Sequence, residues 1–218
     1  QTKHTYKEET VCEGATRIET PDQQLYYNDF NDASSVAEWQ LFPGEEDYYR
    51  ALTGWQRSNT NAYNGYSLRV ESPQSYNSYT EDYDVWGGSF AVSPLVYISD
   101  PASAQLKFYL RAPGVTNSWW RSGSYADGLK VYYFTAAQDA YAWGDDDEAV
   151  YASQVIWHNN DGATLNASWN QKTVSLSSVP APGYYRIVFR DFDAWSWAAI
   201  DNVEIRGSVV TSVPTGLT

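Results

Sequence analysis

Aromatic side chains that could bind a sugar lie within two loop-like segments, residues 113–127 and 191–197, and on both sides of a third, residues 159–168. We call the three, together with these flanking residues, the tryptophan-rich segments. Seven aromatic residues lie in or beside these segments: Trp119, Trp120, Tyr125, Trp157, Trp169, Trp195 and Trp197. An indole ring packs well against the apolar C–H face of a pyranose. Two adjacent rings in a loop of Ser, Gly and Asn are not easily buried together, so the pattern favours a stacking platform for sugar rings.

Charged side chains in the same segments supply the hydrogen bonds that a saccharide needs. Carboxylate and guanidinium groups orient the hydroxyls of a bound sugar. We predict a ligand-binding set of eight residues: Trp119, Trp120, Arg121, Tyr125, Asp127, Asp193, Trp195 and Trp197. Two other interpretations stay open, because the same rings could cover one end of the fold as a minor core or form a protein-binding hot spot.

The sequence between these loops has the alternation of an antiparallel β-sandwich. The clearest predicted strands are residues 104–112, 128–136, 150–158, 169–178, 184–190 and 198–206, and earlier candidates are 25–30, 66–71 and 89–98. Residues 33–41 predict one short turn of helix. If the last six strands run antiparallel in succession, alternate connections lie at the same end, which brings the three tryptophan-rich segments together. The fold class predicted is all-β, an antiparallel sandwich of jelly-roll type over residues 21–207.

The two ends of the chain differ from this pattern. Residues 1–20 have mixed charge and little periodicity, which predicts an N-terminal arm, and residues 208–218 read like the start of a linker to a further module. The chain opens with Gln1, contains no Met, and has Cys12 as its only cysteine, so an internal disulfide is impossible. We expect a mature secreted or cell-surface protein, part of a multi-modular bacterial polypeptide.

Composition excludes several classes of partner and of chemistry. The 218 residues include 27 Asp and Glu and 14 Lys and Arg, which gives a net charge of −13. Nucleic acid and anionic membranes both require a basic face, and no apolar run approaches the roughly 18 residues of a membrane span. The only histidines, His4 and His158, fit neither a zinc motif nor a serine triad. We predict no enzyme, although a glycosidase stays open if Asp127, Asp191 and Asp193 meet.

Asp201 interrupts the alternation of the last predicted strand. Ile200 has one parity, while Val203 and Ile205 have the other. Either a bulge separates them, or Asp201 points inward with the second pair. A buried carboxylate needs an arginine or a metal ion as its partner, and the Asn31-Asp32 pair could approach from a neighbouring strand.

The closing sequence AAIDNVEI, preceded by a strand that ends VFRDF, resembles the closing motif of cleaved-adhesin and choice-of-anchor J domains. These are jelly rolls related to the MAM domain and occur in secreted bacterial proteins. YYNDFND matches the opening strand of that family, and the resemblance covers roughly residues 25–206. It implies a β-jelly roll with structural calcium near the opening acidic residue and the closing Asp, which by position are Asn31, Asp32 and Asp201. Asn31 stands where the family often has a carboxylate, and the tryptophan-rich loops are not a family feature.

Together these features predict a non-catalytic carbohydrate-binding domain that holds a neutral polysaccharide by aromatic stacking. A glucan such as starch suits a surface of net charge −13 better than an anionic polymer does. The alternative is an adhesin or scaffold module that uses the same aromatic surface to bind a host or partner protein.

Overall fold

Alternating apolar side chains pair the strands of this chain into two antiparallel sheets. The computed structural model describes residues 15–42, 54–71, 89–112, 129–139, 151–158, 168–191 and 197–214. Its strands are β1 (Ala15–Asn28), β2 (Gln40–Phe42), β3 (Gln56–Ser58), β4 (Ser67–Glu71), β5 (Ser89–Val92), β6 (Val96–Ile98), β7 (Gln105–Arg111), β8 (Leu129–Thr135), β9 (Val155–His158), β10 (Asn170–Ser175), β11 (Gly183–Asp191) and β12 (Trp197–Pro214). A short helix, α1 (Ala33–Val36), and a 3₁₀ turn at Ala152–Gln154 complete the described elements.

The two sheets have the crossed strand order of a jelly roll, which confirms the predicted all-β class. Sheet A has the order β10-β7-β12-β4-β3, with β1 also paired to β12. Sheet B has the order β2-β5-β11-β8-β9, with β6 also paired to β11. Because β12 is long, its beginning pairs with β4 and the remainder pairs with β1. The change of partner falls at Asp201–Val203.

The main core lies between the inner faces of the two sheets. Phe108 of β7 is fully buried and meets the ring of Phe189 of β11 edge-on, with ring centroids 5.2 Å apart. Leu106 and Leu110 flank Phe108 on the same face and are buried with it. Full burial of such side chains contributes about 1.5–3 kcal/mol each, so this contact between the sheets defines the sandwich.

Sheet B is buried on its outer face as well. A second apolar cluster lies there, formed by Phe90, Val92, Tyr132, Phe134 and Val188, with Tyr151 and Val155 packed against it. Consecutive positions of β5 and β8 are therefore buried instead of alternate ones. Continuous burial is the pattern of a strand covered on both sides.

The ends of the described chain form a β-ribbon, where the sequence predicted an arm and a linker. Ala15 pairs with Pro214, and the pairing continues inward to Asn28 and Val203. The described parts of the predicted arm and linker are therefore strand. Alternation did not indicate this, because β1 residues 15–24 are exposed wherever their side chains are described; Ile18, for example, is 47% exposed. Backbone pairing alone satisfies the hydrogen-bonding groups of such a ribbon.

The predicted helical turn is present but shorter than residues 33–41. Asp32 caps it by accepting a hydrogen bond from the backbone N–H of Ser34 at 2.9 Å, which is the usual N-cap contact. Trp39 follows the helix and packs edge-on against Phe30, with ring centroids 5.3 Å apart. In the described part of the chain, helices are too short to cross a membrane.

Candidate functional site

The strand register brings together the described ends that flank the three tryptophan-rich segments. In sheet A, the end of β7 lies beside the start of β10 and the start of β12, through the pairs Leu110–Asn170 and Arg111–Ala199. In sheet B, the start of β8 lies beside the ends of β9 and β11. Within each sheet, these strand ends therefore lie at the same end of the sheet. This is the arrangement expected when alternate connections between antiparallel strands lie at the same end.

Most of the predicted ligand-binding residues lie outside the described residues. They are Trp119, Trp120, Arg121, Tyr125, Asp127, Asp193 and Trp195. The eighth, Trp197, begins β12 and is half-buried on the outer face of sheet A. The guanidinium carbon of Arg69 lies 3.9 Å from the centroid of the Trp197 ring, and that of Arg111 lies 5.5 Å away. A cation–π contact therefore already covers one face of this ring.

Asp201 is fully buried although it lies on the outer face of sheet A. It pairs with Tyr109, whose neighbours in β7 point into the core. The register shifts between Asp201 and Glu204, and Asn202 has a φ of 47°. This bulge returns Val203 to the inner face, so the first of the two alternatives predicted for Asp201 is correct.

The Asp201 carboxylate has an uneven set of contacts. Its Oδ1 accepts a hydrogen bond from the backbone N–H of Asn202 at 2.7 Å. Its Oδ2 is buried and, within the described ranges, accepts no hydrogen bond of ordinary geometry. Burial raises the pKa of Asp201 to about 6; the backbone N–H groups of Asn202, Asn64 and Tyr63 oppose this shift, and the charge of Asp29 adds to it.

The residues expected to hold calcium have different surroundings. The side-chain oxygen of Asn31 accepts the backbone N–H of Tyr66 at 2.9 Å. Asp32 is exposed and caps α1. Asp29, which the sequence comparison passed over, is the carboxylate whose charge reaches Asp201. It is the acidic residue of YYNDF, two positions after the aromatic pair.

The buried oxygen of Asp201 fits a hard cation such as Ca²⁺, which binds carboxylate and carbonyl oxygens. Asp201, with Asp29 nearby, would supply its carboxylate ligands, and the ion would neutralise their charge. Among the described residues, no group of three His, Cys, Asp or Glu side chains converges. Backbone, amide or water oxygens would therefore have to complete the six to eight ligands.

A second aromatic group lies on the outer face of sheet A, where Tyr63 and Tyr109, which the sequence analysis did not single out, join Trp169. Tyr63 is 43% exposed and stacks on Tyr109, with ring centroids 4.2 Å apart and 21° between the planes. Trp169 meets Tyr63 edge-on at 5.7 Å. The indole N–H of Trp169 donates to the backbone oxygen of Asn61 at 3.2 Å, so the orientation of these rings is fixed.

Comparison with known proteins identifies relatives by fold only. No family model matches this sequence, and no curated protein matches it. The chain is similar to the K3 cleaved adhesin domain of Lys-gingipain from Porphyromonas gingivalis W83, with 17% identity, a TM-score of 0.52 and coverage of 85% of this chain and 98% of that chain. It is also similar to the K1 domain of the same protein, with 18% identity, a TM-score of 0.48 and coverage of 87% and 97%.

A third similar structure is the CBM22-1 xylan-binding domain of Xyn10C from Paenibacillus barcinonensis, with 14% identity and a TM-score of 0.44, covering 85% of this chain and 95% of that chain. Of the three, the K3 domain alone has a TM-score above 0.5, and at 17% identity it establishes the fold and nothing further. The jelly roll implied by the resemblance to cleaved-adhesin domains is thereby confirmed.

Proposed function

We propose that this chain is a non-catalytic carbohydrate-binding domain of a secreted, multi-modular bacterial protein. The observation that supports it is the shared position of the strand ends that flank the three tryptophan-rich segments. Rings carried on such loops present stacking surfaces, and their acidic and basic neighbours orient hydroxyls. The ligand is a neutral polysaccharide, and a glucan such as starch is the finer expectation, because a net charge of −13 disfavours anionic polymers.

Affinity gel electrophoresis tests this function with starch fractions, β-glucans, xylan, mannan and pectin. We expect a neutral polymer to retard the protein, and Trp119→Ala and Trp195→Ala to lose most of that retardation with little change in melting temperature. Tyr184→Ala is the matched control, because Tyr184 is 59% exposed on sheet B.

Two outcomes contradict the proposal. If no polymer retards the protein, the carbohydrate-binding hypothesis is wrong. The alternative is then favoured, an adhesin module whose aromatic surface binds a protein. Loss of the folded state in both tryptophan variants shows that the rings belong to a core and not to a binding surface.

We further propose that Asp201 and Asp29 bind a structural Ca²⁺. The full burial of the Asp201 carboxylate supports this, together with the nearby charge of Asp29. Addition of CaCl₂ to EDTA-treated protein is expected to raise the melting temperature of the wild type and not that of Asp201→Asn. Asp32→Asn is the control, since asparagine also caps a helix. If Asp29 is the second ligand, the melting temperature of this variant should still rise with Ca²⁺. If it does not rise, Asp32 is the second ligand. A wild type that is indifferent to Ca²⁺ overturns the site.

A further inference from the structure

The Tyr63 ring is an exposed aromatic surface on a firmly supported base. Its inner face stacks on Tyr109 of β7, and its edge meets Trp169 at the start of β10. Tyr109 and Trp169 are themselves only partly exposed. The support therefore comes from β7 and from the residue that immediately precedes β10, and Tyr63 remains 43% exposed.

The loop that carries Tyr63, residues 59–66, is braced at its far end. The Asn31 side chain accepts the Tyr66 backbone N–H at 2.9 Å, and Gly65 at a φ of 77° allows this close approach. The Arg57 guanidinium lies 3.4 Å from the centroid of the Tyr66 ring, and it donates to the backbone oxygen of Asn31 at 2.6 Å. A ligand that stacks on Tyr63 therefore loses little affinity to loop ordering.

The side chains around Tyr63 have the chemistry of a sugar site. Asn59, Thr60, Asn61 and Asn64 are all exposed, and their amide and hydroxyl groups both donate and accept hydrogen bonds. The 59–66 loop contains no charged residue. The carboxylate of Asp201 lies close beneath it, near the backbone of Tyr63 and Asn64. The loop itself therefore offers a ligand neutral hydrogen-bonding groups and no charge.

We infer that Tyr63, with the amide side chains of the 59–66 loop, forms a second stacking site for a neutral pyranose chain on the outer face of sheet A. The inference takes its ligand class from the proposed function but concerns a separate surface. In the sequence, Trp169 flanks one of the tryptophan-rich segments. Two sites on one domain strengthen the retention of a long polymer by raising the effective concentration at the second site.

Amide-resolved NMR titration tests the second site, with maltohexaose, cellohexaose, xylohexaose and mannohexaose as probes. For the hexaose that matches the retarding polymer, the amides of residues 59–66 and the Trp169 indole N–H are expected to shift in a saturable way. Tyr63→Ala should remove these shifts and weaken polymer retardation roughly tenfold, the order of one lost stacking contact. Tyr63→Phe keeps the ring and should keep both.

The controls separate this inference from the proposed function. Tyr184→Ala removes a still more exposed tyrosine from sheet B (59% against 43% for Tyr63) and should change nothing. If a hexaose shifts other residues while the 59–66 amides stay silent, or if Tyr63→Ala retains full retardation, the second site is wrong and the function stands. If no polymer or hexaose binds the wild type, both are wrong. A melting temperature for each variant shows that it is folded.

Discussion

At the scale of single residues, Asp201 combines burial, charge and a change of backbone direction. Its carboxylate is fully buried at the bulge of β12, and this burial raises its pKa to about 6. A raised pKa means that the folded protein favours the protonated acid. Near neutral pH the fold therefore contains an unfavourable buried charge unless a cation neutralises it.

This charge predicts a pH-dependent stability in EDTA. The favourable contribution of protonated Asp201 is complete below its ordinary pKa of 3.8 and is lost as the pH rises through about 6. Asp201→Asn should therefore match the wild type near pH 4 and exceed it at pH 7.5. Urea unfolding of both proteins at the two pH values measures the difference. Equal stability at pH 7.5 would show that the carboxylate is solvated or paired.

Gly65 shows a second constraint at the residue scale. Its φ is 77°, and a Cβ atom at this position would lie 2.1 Å from the side-chain oxygen of Asn31. Gly65→Ala is expected to lower the free energy of unfolding by about 2 kcal/mol, because strain and the displaced Asn31 contact add. Gly183→Ala is the control, since its nearest contact would be 3.4 Å. Equal denaturation midpoints for the two variants would contradict this explanation.

At the scale of elements, the two sheets differ in how they face their surroundings. Sheet A follows simple alternation in β7, with Phe108 inside and Lys107 and Tyr109 outside. Sheet B is buried on both faces along β5 and β8. The outer positions of β5 and β8 in sheet B are consequently part of a core, whereas the outer positions of β7 in sheet A are only partly buried.

This difference predicts opposite responses to the same substitution. Val188→Asn places an amide in the outer cluster of sheet B, where Val188 is fully buried, and should cost about 2–4 kcal/mol of stability. Thr173→Asn changes an exposed position of β10 on sheet A and should cost less than about 0.5 kcal/mol. Thermal unfolding compares them. A tolerant Val188→Asn would mean that the outer cluster contributes little.

At the scale of the whole molecule, the excess of acidic residues governs long-range interactions. With a net charge of −13, the acidic side chains of the folded protein repel one another, and the protein repels anionic ligands. Neutral saccharides carry no charge for this field to act on. Stability and ligand binding should therefore respond differently to salt.

We expect the melting temperature to rise between about 10 mM and about 300 mM NaCl, because salt screens the self-repulsion. Retention by a neutral polysaccharide should change less than about twofold over the same range. Affinity electrophoresis and thermal scans in the two buffers measure both effects. Retention that falls steeply with salt would indicate recognition by charge, as for a protein partner.

The sequence predicts the strands that have a clear alternation and misses those that lack it. The pattern of β7 located that strand within one residue at each end. β2 and β3 have three residues each, too few for a period to appear. The ribbon of β1 and β12 escaped prediction because backbone pairing, not side-chain burial, defines its outer part.

The candidate sites show the same division. Parity identified Asp201 as anomalous, since a bulge leaves a trace in the order of apolar residues. The exposed ring of Tyr63 left no such trace, because NTNAYNGY is typical of an ordinary turn. Its stacking on Tyr109 depends on contacts between residues 46 positions apart, which local pattern does not contain.

The ribbon of β1 and β12 has a mechanical consequence. Ala15 and Pro214 are paired neighbours, so tension that enters the domain at one and leaves at the other pulls the two strands apart sideways. Their hydrogen bonds are then loaded one after another, not all together, and the ribbon opens like a zipper at low force. Under tension applied at these two residues, the outer part of the β1–β12 ribbon is expected to separate before the other paired strands of the two sheets.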